Sequence, residues 1–220
     1  MPVKEEQWRK VVEVLMKLDE AGCLEHMMLV GSWADFLYSA SGYLPDYESR
    51  IRTLDLDFLV YNIRKPNPPK NVITTFKEMG FIVERDRMTG VTKLLDPSTG
   101  FEIEFLAQLL GSGTERYIKT NLGVTAQGLR EFRILSNNRI ELSYLGMNIL
   151  VPKPEAFLIN KMVINHGRSE AKAEKDREAI INMYPYIDAD EFQRIKESLS
   201  KKEYKLVVEF EELYLQKGHE

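Results

Sequence analysis

The stretch LVGSW at residues 29–33, followed by RTLDLDFLVY at residues 52–61, decides how this chain reads. One apolar run ends in a Gly-Ser pair. A second apolar run carries Asp55 and Asp57, one residue apart. Side chains alternate faces along a strand, so the two aspartates point the same way. Aspartate is disfavoured in strands, which sets this pair apart from an ordinary solvated edge. Two carboxylates side by side repel unless a positive group sits between them. Mg²⁺ suits the position, because it takes hard oxygen ligands from one or two carboxylates and completes its shell with substrate phosphates.

A second acidic pair lies at Glu102 and Glu104 within FEIEF, with Phe101, Ile103 and Phe105 on the opposite face. If this strand lies beside the first, one of the two glutamates completes a three-carboxylate site, with Glu104 preferred to Glu102. The alternative is a solvated face of an antiparallel sheet, which strands show routinely. Gly31 and Ser32 fit the same site. A strand that ends in Gly-Ser before a helix exposes backbone N–H groups at a helix N-terminus, a ready place for phosphate.

Outward from this centre, residues 4–21 carry Trp8, Val11, Val12, Leu15 and Leu18 at helical spacing, with Gly22 as a stop. Residues 24–30 read as a buried strand. Residues 33–40 read as a helix with Ser32 as its N-cap. Residues 41–50 form a loop in which Tyr43 and Tyr47 either stack on a base or pack the loop down. Residues 54–61 form the aspartate strand, and 71–79 a helix. Residues 81–85, 91–95 and 101–106 are short strands separated by turn residues. The segment 111–138 reads only as loops with one short element. A hairpin over 139–151 turns at Leu145-Gly146. After Val151-Pro152-Lys153-Pro154 the pattern is helical, over 155–166, 170–183, 188–199 and 202–216. The fold class predicted is therefore α/β (α+β): a mixed sheet with flanking helices in residues 1–151, and a helical region in 152–220 packed on it.

With 220 residues, 44% hydrophobic and 29% charged, the chain has the makings of a folded core rather than a disordered one. No apolar run reaches the length of a membrane span. The N-terminus lacks a signal-peptide core, so a cytoplasmic protein is expected. The lone Cys23 has no internal disulfide partner, and His26, His166 and His219 have no zinc spacing. A net charge of -4 speaks against an extended nucleic-acid footprint but leaves room for a local basic groove.

The order Gly31-Ser32, loop, Arg52-Thr53, Asp55-Leu56-Asp57-Phe58 resembles the nucleotidyltransferase superfamily that includes DNA polymerase beta. It is most similar to the AbiEii-like group, which includes toxins of toxin–antitoxin systems. The segment from Val151-Pro-Lys-Pro-Glu155 through Lys161 resembles that group's lysine-bearing helix. Arg168 and Lys175-Asp176-Arg177 resemble its last motif. The resemblance implies transfer of an NMP from ATP or another NTP to a hydroxyl of RNA, protein or a small molecule. It implies Asp55, Asp57 and Glu104 as catalytic carboxylates holding Mg²⁺ or Mn²⁺. It implies Gly31, Ser32, Arg52, Thr53, Lys161, Arg168 and Asp176 as the nucleotide-binding set, with Asp176 orienting Lys161 or Arg168. Trp33 stands where the toxins carry a small residue, and is expected to reshape the phosphate pocket or stack on a base. Two other outcomes stay open: a non-catalytic nucleotide- or partner-binding module, and a toxin modifying tRNA with an antitoxin as partner.

Overall fold

The computed structural model describes residues 5–49, 53–109, 116–130 and 132–215. Helix α1 (Glu5–Glu20) leads through a short turn to β1 (Met27–Val30), α2 (Ser32–Ala40) and β2 (Asp55–Val60). Helix α3 (Val72–Glu78) and strands β3 (Ile82–Arg85), β4 (Thr92–Asp96) and β5 (Phe101–Gln108) follow. The order β1-β2-β5-β4-β3 makes a mixed sheet, with β2 and β5 parallel and the other neighbours in that order antiparallel. Beyond Glu104, β5 pairs instead with β7 (Thr125–Leu129), which pairs with β6 (Tyr117–Lys119). Helix α4 (Arg133–Asn137) completes the segment that carried no clear periodicity.

Strands β8 (Arg139–Tyr144) and β9 (Met147–Pro152) form a separate hairpin. Its two turn residues, Leu145 and Gly146, both take positive φ, at 49° and 81°, which matches the right-handed twist of the strands they join. Helices α5 (Pro154–Asn165), α6 (Glu170–Met183), α7 (Ala189–Glu197) and α8 (Lys201–Phe210) complete the described chain, with a π-helical turn at Glu211–Leu215. Pro154 opens α5 at a position where its missing N–H costs nothing. Ser200 and Glu203 close a reciprocal cap at the start of α8.

Alternation along β2 and β5 divides the sheet. Leu56 and Phe58, with Phe101, Ile103 and Phe105, fill one face and are almost wholly buried. Phe105 meets Phe76 of α3, and Phe101 meets Trp33 of α2. Helices α5 and α6 stand over the opposite face. Helix α5 is buried nearly all round because it is the centre of the helical layer, touching α4, α6, α7 and α8. Buried residues of the sheet and of α5 belong to one continuous apolar cluster. The hydroxyl of Tyr38 donates to the carbonyl of Pro152 at 2.8 Å, and its ring lies edge-on to Phe157, so α2 is tied to the start of the helical layer. Among the described residues no helix is long and apolar enough to cross a membrane.

Candidate active site

The parallel register of β2 on β5 sets Asp55 beside Glu102 and Asp57 beside Glu104. Opposite residues of neighbouring strands project to the same side, so four carboxylates share the face under α5 and α6. Burial pushes the Asp57 carboxyl up to about 7, with Glu104 and Asp55 adding to the rise and Arg168 and Lys161 pulling it back. Asp55 is exposed and accepts a hydrogen bond from the Thr53 hydroxyl at 3.1 Å. Thr53 Oγ in turn accepts the backbone N–H of Asp55 at 3.0 Å, which fixes the first residue of β2. Glu104 meets the ammonium of Lys93, its opposite number on β4.

On the other side of Asp57 lies β1, with Val30 opposite it in register. The chain turns into α2 at Gly31, whose φ of 68° and ψ of -155° suit glycine. A Cβ there would lie 2.5 Å from Asp57 Oδ2. The missing side chain is what lets the carboxylate sit against the turn. Ser32 is the first residue of α2 and not its N-cap. The N-cap position needs a non-helical backbone, and Gly31 supplies it.

The facing wall is cationic. Lys161 of α5 pairs with Asp176 of α6, and Arg168 Nε lies 2.9 Å from Asp176 Oδ2. The Asp176 side chain is only 6% exposed, and a buried carboxylate needs such partners. Lys161 Nζ also stands 5.0 Å from the centre of the Phe157 ring. Between this wall and the carboxylates lies a cavity of about 600 Å³, within the usual range for small-molecule sites. Gly31, Ser32, Thr53, Asp55, Asp57, Glu104, Lys161, Arg168 and Asp176 all line it, as does Glu102. Arg52, expected among them, lies outside the described residues.

Two buried polar residues of the lining escaped the sequence reading. Asp35 is 6% exposed and accepts a hydrogen bond from the Tyr47 hydroxyl at 2.6 Å. Burial raises its pKa, against the pull of hydrogen bonds from Tyr47 and Ser49. The signal was available, since Asp35 lies one helical turn after Ser32 and so shares its face. Asn160, one residue before Lys161, is 6% exposed and lines the cavity too. Tyr47 is buried and holds the 41–49 loop down through Asp35, whereas Tyr43 is exposed. Trp33 corrects an expectation. It is fully buried, stacked on Trp8 at 6.0 Å and packed on Phe36 and Phe101, so it belongs to the core and does not shape the cavity.

The donor chemistry suits a hard divalent cation: carboxylate oxygens, and an Asp57 whose proton is held by repulsion and burial that a cation would relieve. Among the described residues no group of three His, Cys, Asp or Glu side chains is arranged to hold a metal ion. Asp57 is the one set against the Gly31 turn, and Asp55 lies two residues before it on the same strand face.

A family model described as nucleotidyltransferase matches residues 9–202. No curated protein sequence matches at a significant level. Among solved structures, an antigenic nucleotidyltransferase-like protein from Paracoccidioides brasiliensis is similar over 96% of this chain and 95% of its own, at 19% identity and a TM-score of 0.49. The solution structure of the antibiotic-resistance factor ANT(2'')-Ia is similar over 95% of this chain and 93% of its own, at 13% identity and a TM-score of 0.46. Its crystal structure in complex with adenylyl-2''-tobramycin covers 95% of this chain and 99% of its own, at 12% identity and a TM-score of 0.43.

Proposed function

Because the chain belongs to the nucleotidyltransferase family, and so is a transferase, we propose that it moves an NMP from an NTP to a hydroxyl acceptor in the cleft between the carboxylate face and α5–α6. The observation that carries this reading is the opposition of Asp55, Asp57 and Glu104 to Lys161 and Arg168 across one cavity. Residues 1–151 supply the acidic wall, and residues 152–220 the cationic one.

The N-terminus of α2 at Gly31-Ser32 receives the β- and γ-phosphates, where backbone N–H groups and the helix dipole favour negative charge. Lys161 and Arg168 bind the same phosphates from above, held in place by Asp176. Asp55 and Asp57 would hold Mg²⁺ or Mn²⁺, which when bound adds positive charge at the α-phosphate and makes the acceptor hydroxyl more acidic. Glu104, next to Asp57 on β5, takes the acceptor's proton. The acceptor oxygen forms a bond to the α-phosphorus as the bond to the β-phosphate oxygen breaks, and pyrophosphate leaves toward Gly31. Alignment and charge neutralisation carry most of the acceleration.

Incubation with α-labelled ATP, Mg²⁺ and candidate acceptors tests this, with pyrophosphate release as a second readout. Transfer that disappears in Asp55→Ala is the expected result. Nucleotide binding that stabilises the protein with neither transfer nor pyrophosphate release would favour the non-catalytic module instead. A narrower reading follows the AbiEii-like motif order, with tRNA as the acceptor and an antitoxin as partner. Lys172 and Lys175, further cations lining the cavity, favour an RNA acceptor. Growth arrest on expression, relieved by Asp57→Ala, is the corresponding test.

A further inference from the structure

Helices α2 and α5 meet where the Tyr38 ring stands edge-on to Phe157. One turn back along α2 from that contact is Asp35, and one turn on along α5 is Asn160. Both are buried, and both line the cavity. The side-chain carbonyl of Asn160 is buried with no hydrogen-bond partner among the described residues. Asn165 on the same helix gives the contrast. It does not line the cavity, and its amide donates to the Ala173 carbonyl at 2.8 Å. A buried polar atom left unmet is costly and calls for a reason. Asp35 accepts from the Tyr47 hydroxyl, but a carboxylate has room for about four such bonds. The unmet capacity of this pair is therefore for accepting hydrogen bonds.

We propose that Asn160 and Asp35 recognise the sugar of the nucleotide, taking hydrogen bonds from its ribose hydroxyls and so favouring ribonucleotides over deoxynucleotides. This inference rests on the nucleotidyl-transfer reading of the cleft and adds to it a specificity-determining pair. Phosphates do not suit the pair, because they bring acceptors where donors are wanted and a carboxylate repels their charge. The position suits the sugar. Asn160 directly precedes Lys161, and Asp35 follows Ser32 by one turn of α2. Each thus adjoins a group assigned to the triphosphate, and the sugar is the part of a nucleotide joined to it. A base edge mixes donors with acceptors, whereas neighbouring hydroxyls bring a donor to each acceptor. A half-turn of the Asn160 amide about its last side-chain bond presents the carbonyl to the ligand. An analogue without the hydroxyls leaves these acceptors unpaired, which is how a polar site selects.

Calorimetric binding of tripolyphosphate and of the common NTPs, each in ribo and 2′,3′-dideoxy form, with Mg²⁺ and no acceptor, tests the inference apart from activity. The natural chain should bind a ribonucleotide about tenfold or more tighter than its dideoxy form. Asn160→Leu keeps the forked shape and removes the polar atoms. It should weaken ribonucleotide binding about fivefold or more while leaving dideoxynucleotide and tripolyphosphate affinities unchanged. Without nucleotide it should melt no lower than the natural chain, since no bond is lost. Asp35→Asn should narrow the same ribonucleotide preference. Equal binding of ribo and dideoxy forms by the natural chain overturns the inference and leaves the cleft reading standing. So does a loss in Asn160→Leu that dideoxynucleotides share, which marks a contact to the base, or that tripolyphosphate shares, which marks one to phosphate. A natural chain that is folded by circular dichroism yet binds neither tripolyphosphate nor any NTP overturns both.

Discussion

Replacing Asp57 by asparagine should make the protein more stable, and only at high enough pH. The Asp57 carboxyl sits at about 7 against an ordinary value of 3.8. A shift of about three units, at about 1.4 kcal/mol each, is about 4 kcal/mol of penalty for ionising it in the folded state. The side chain is half-buried, so solvent screening reduces this to about 2–4 kcal/mol. The sign follows from proton linkage. Below pH 4 both folded and unfolded chains hold the proton, and nothing distinguishes them. Between pH 4 and pH 7 the unfolded chain has released it while the folded one retains it, so stability falls as pH rises. Above pH 7 the penalty is complete. The amide keeps the shape and carries no charge, so the variant escapes the penalty. At pH 4 the two proteins should melt together. At pH 8 the variant should melt about 6–12 °C higher, taking about 3 kcal/mol and about 2–4 °C per kcal/mol for a domain of this size. Differential scanning calorimetry at closely spaced pH values, without divalent ions, measures the difference. Adding Mg²⁺ at pH 8 should raise the melting point of the natural protein more than that of the variant. A variant equal to or less stable than the natural protein at pH 8, or a gain independent of pH, would refute the account of Asp57 as a repelled, desolvated carboxylate.

Other substitutions probe the remaining parts of the cleft. Gly31→Ala should cost about 1–3 kcal/mol from its backbone conformation alone, with a further loss from the Cβ that would press on Asp57 Oδ2 at 2.5 Å; chemical denaturation reads both, and transfer activity should fall with them. Lys161→Met should destabilise by about 2 kcal/mol, less than the 3–5 kcal/mol expected for a fully orphaned buried charge, because Arg168 remains beside Asp176. A double-mutant cycle with Asp176→Asn checks this and should return most of the loss. Tyr47→Phe removes the donor to Asp35 and should cost about 1–3 kcal/mol in denaturant unfolding.

The parts of this architecture legible in the sequence are those written locally. Period-2 alternation placed Asp55 and Asp57 on one face, and the same rule placed Glu102 and Glu104. Whether the two pairs met was a question of strand order, which alternation alone does not answer. The parallel pairing of β2 with β5, reached through α3, β3 and β4, answers it. The helices after Pro154 were readable because their apolar spacing and stop signals are dense. Strands β6 and β7 and helix α4 were not, since Tyr117–Lys119 and Arg133–Asn137 are too short for a period to show. Trp33 was misread because its surroundings come from Trp8 and Phe101, each far away in the chain. Ser32 looked like a cap by composition, but the cap is a matter of dihedral angle, and Gly31 holds it. Asp35 and Asn160 drew no notice because a single buried polar residue on a helix leaves no pattern until its neighbours are known.

The bond from Tyr38 to the Pro152 carbonyl has a kinetic corollary. It clamps the two walls of the cleft at their root, within a continuous interior. Such jaws resist swinging apart like a clamshell. On the nucleotidyl-transfer reading, traffic of nucleotide and product would then fall to individual long side chains of the lining, Lys172 and Lys175 among them. Rotamer changes of that kind are fast, so the pace of release should follow how strongly the phosphates are gripped rather than any slow reorganisation of the scaffold.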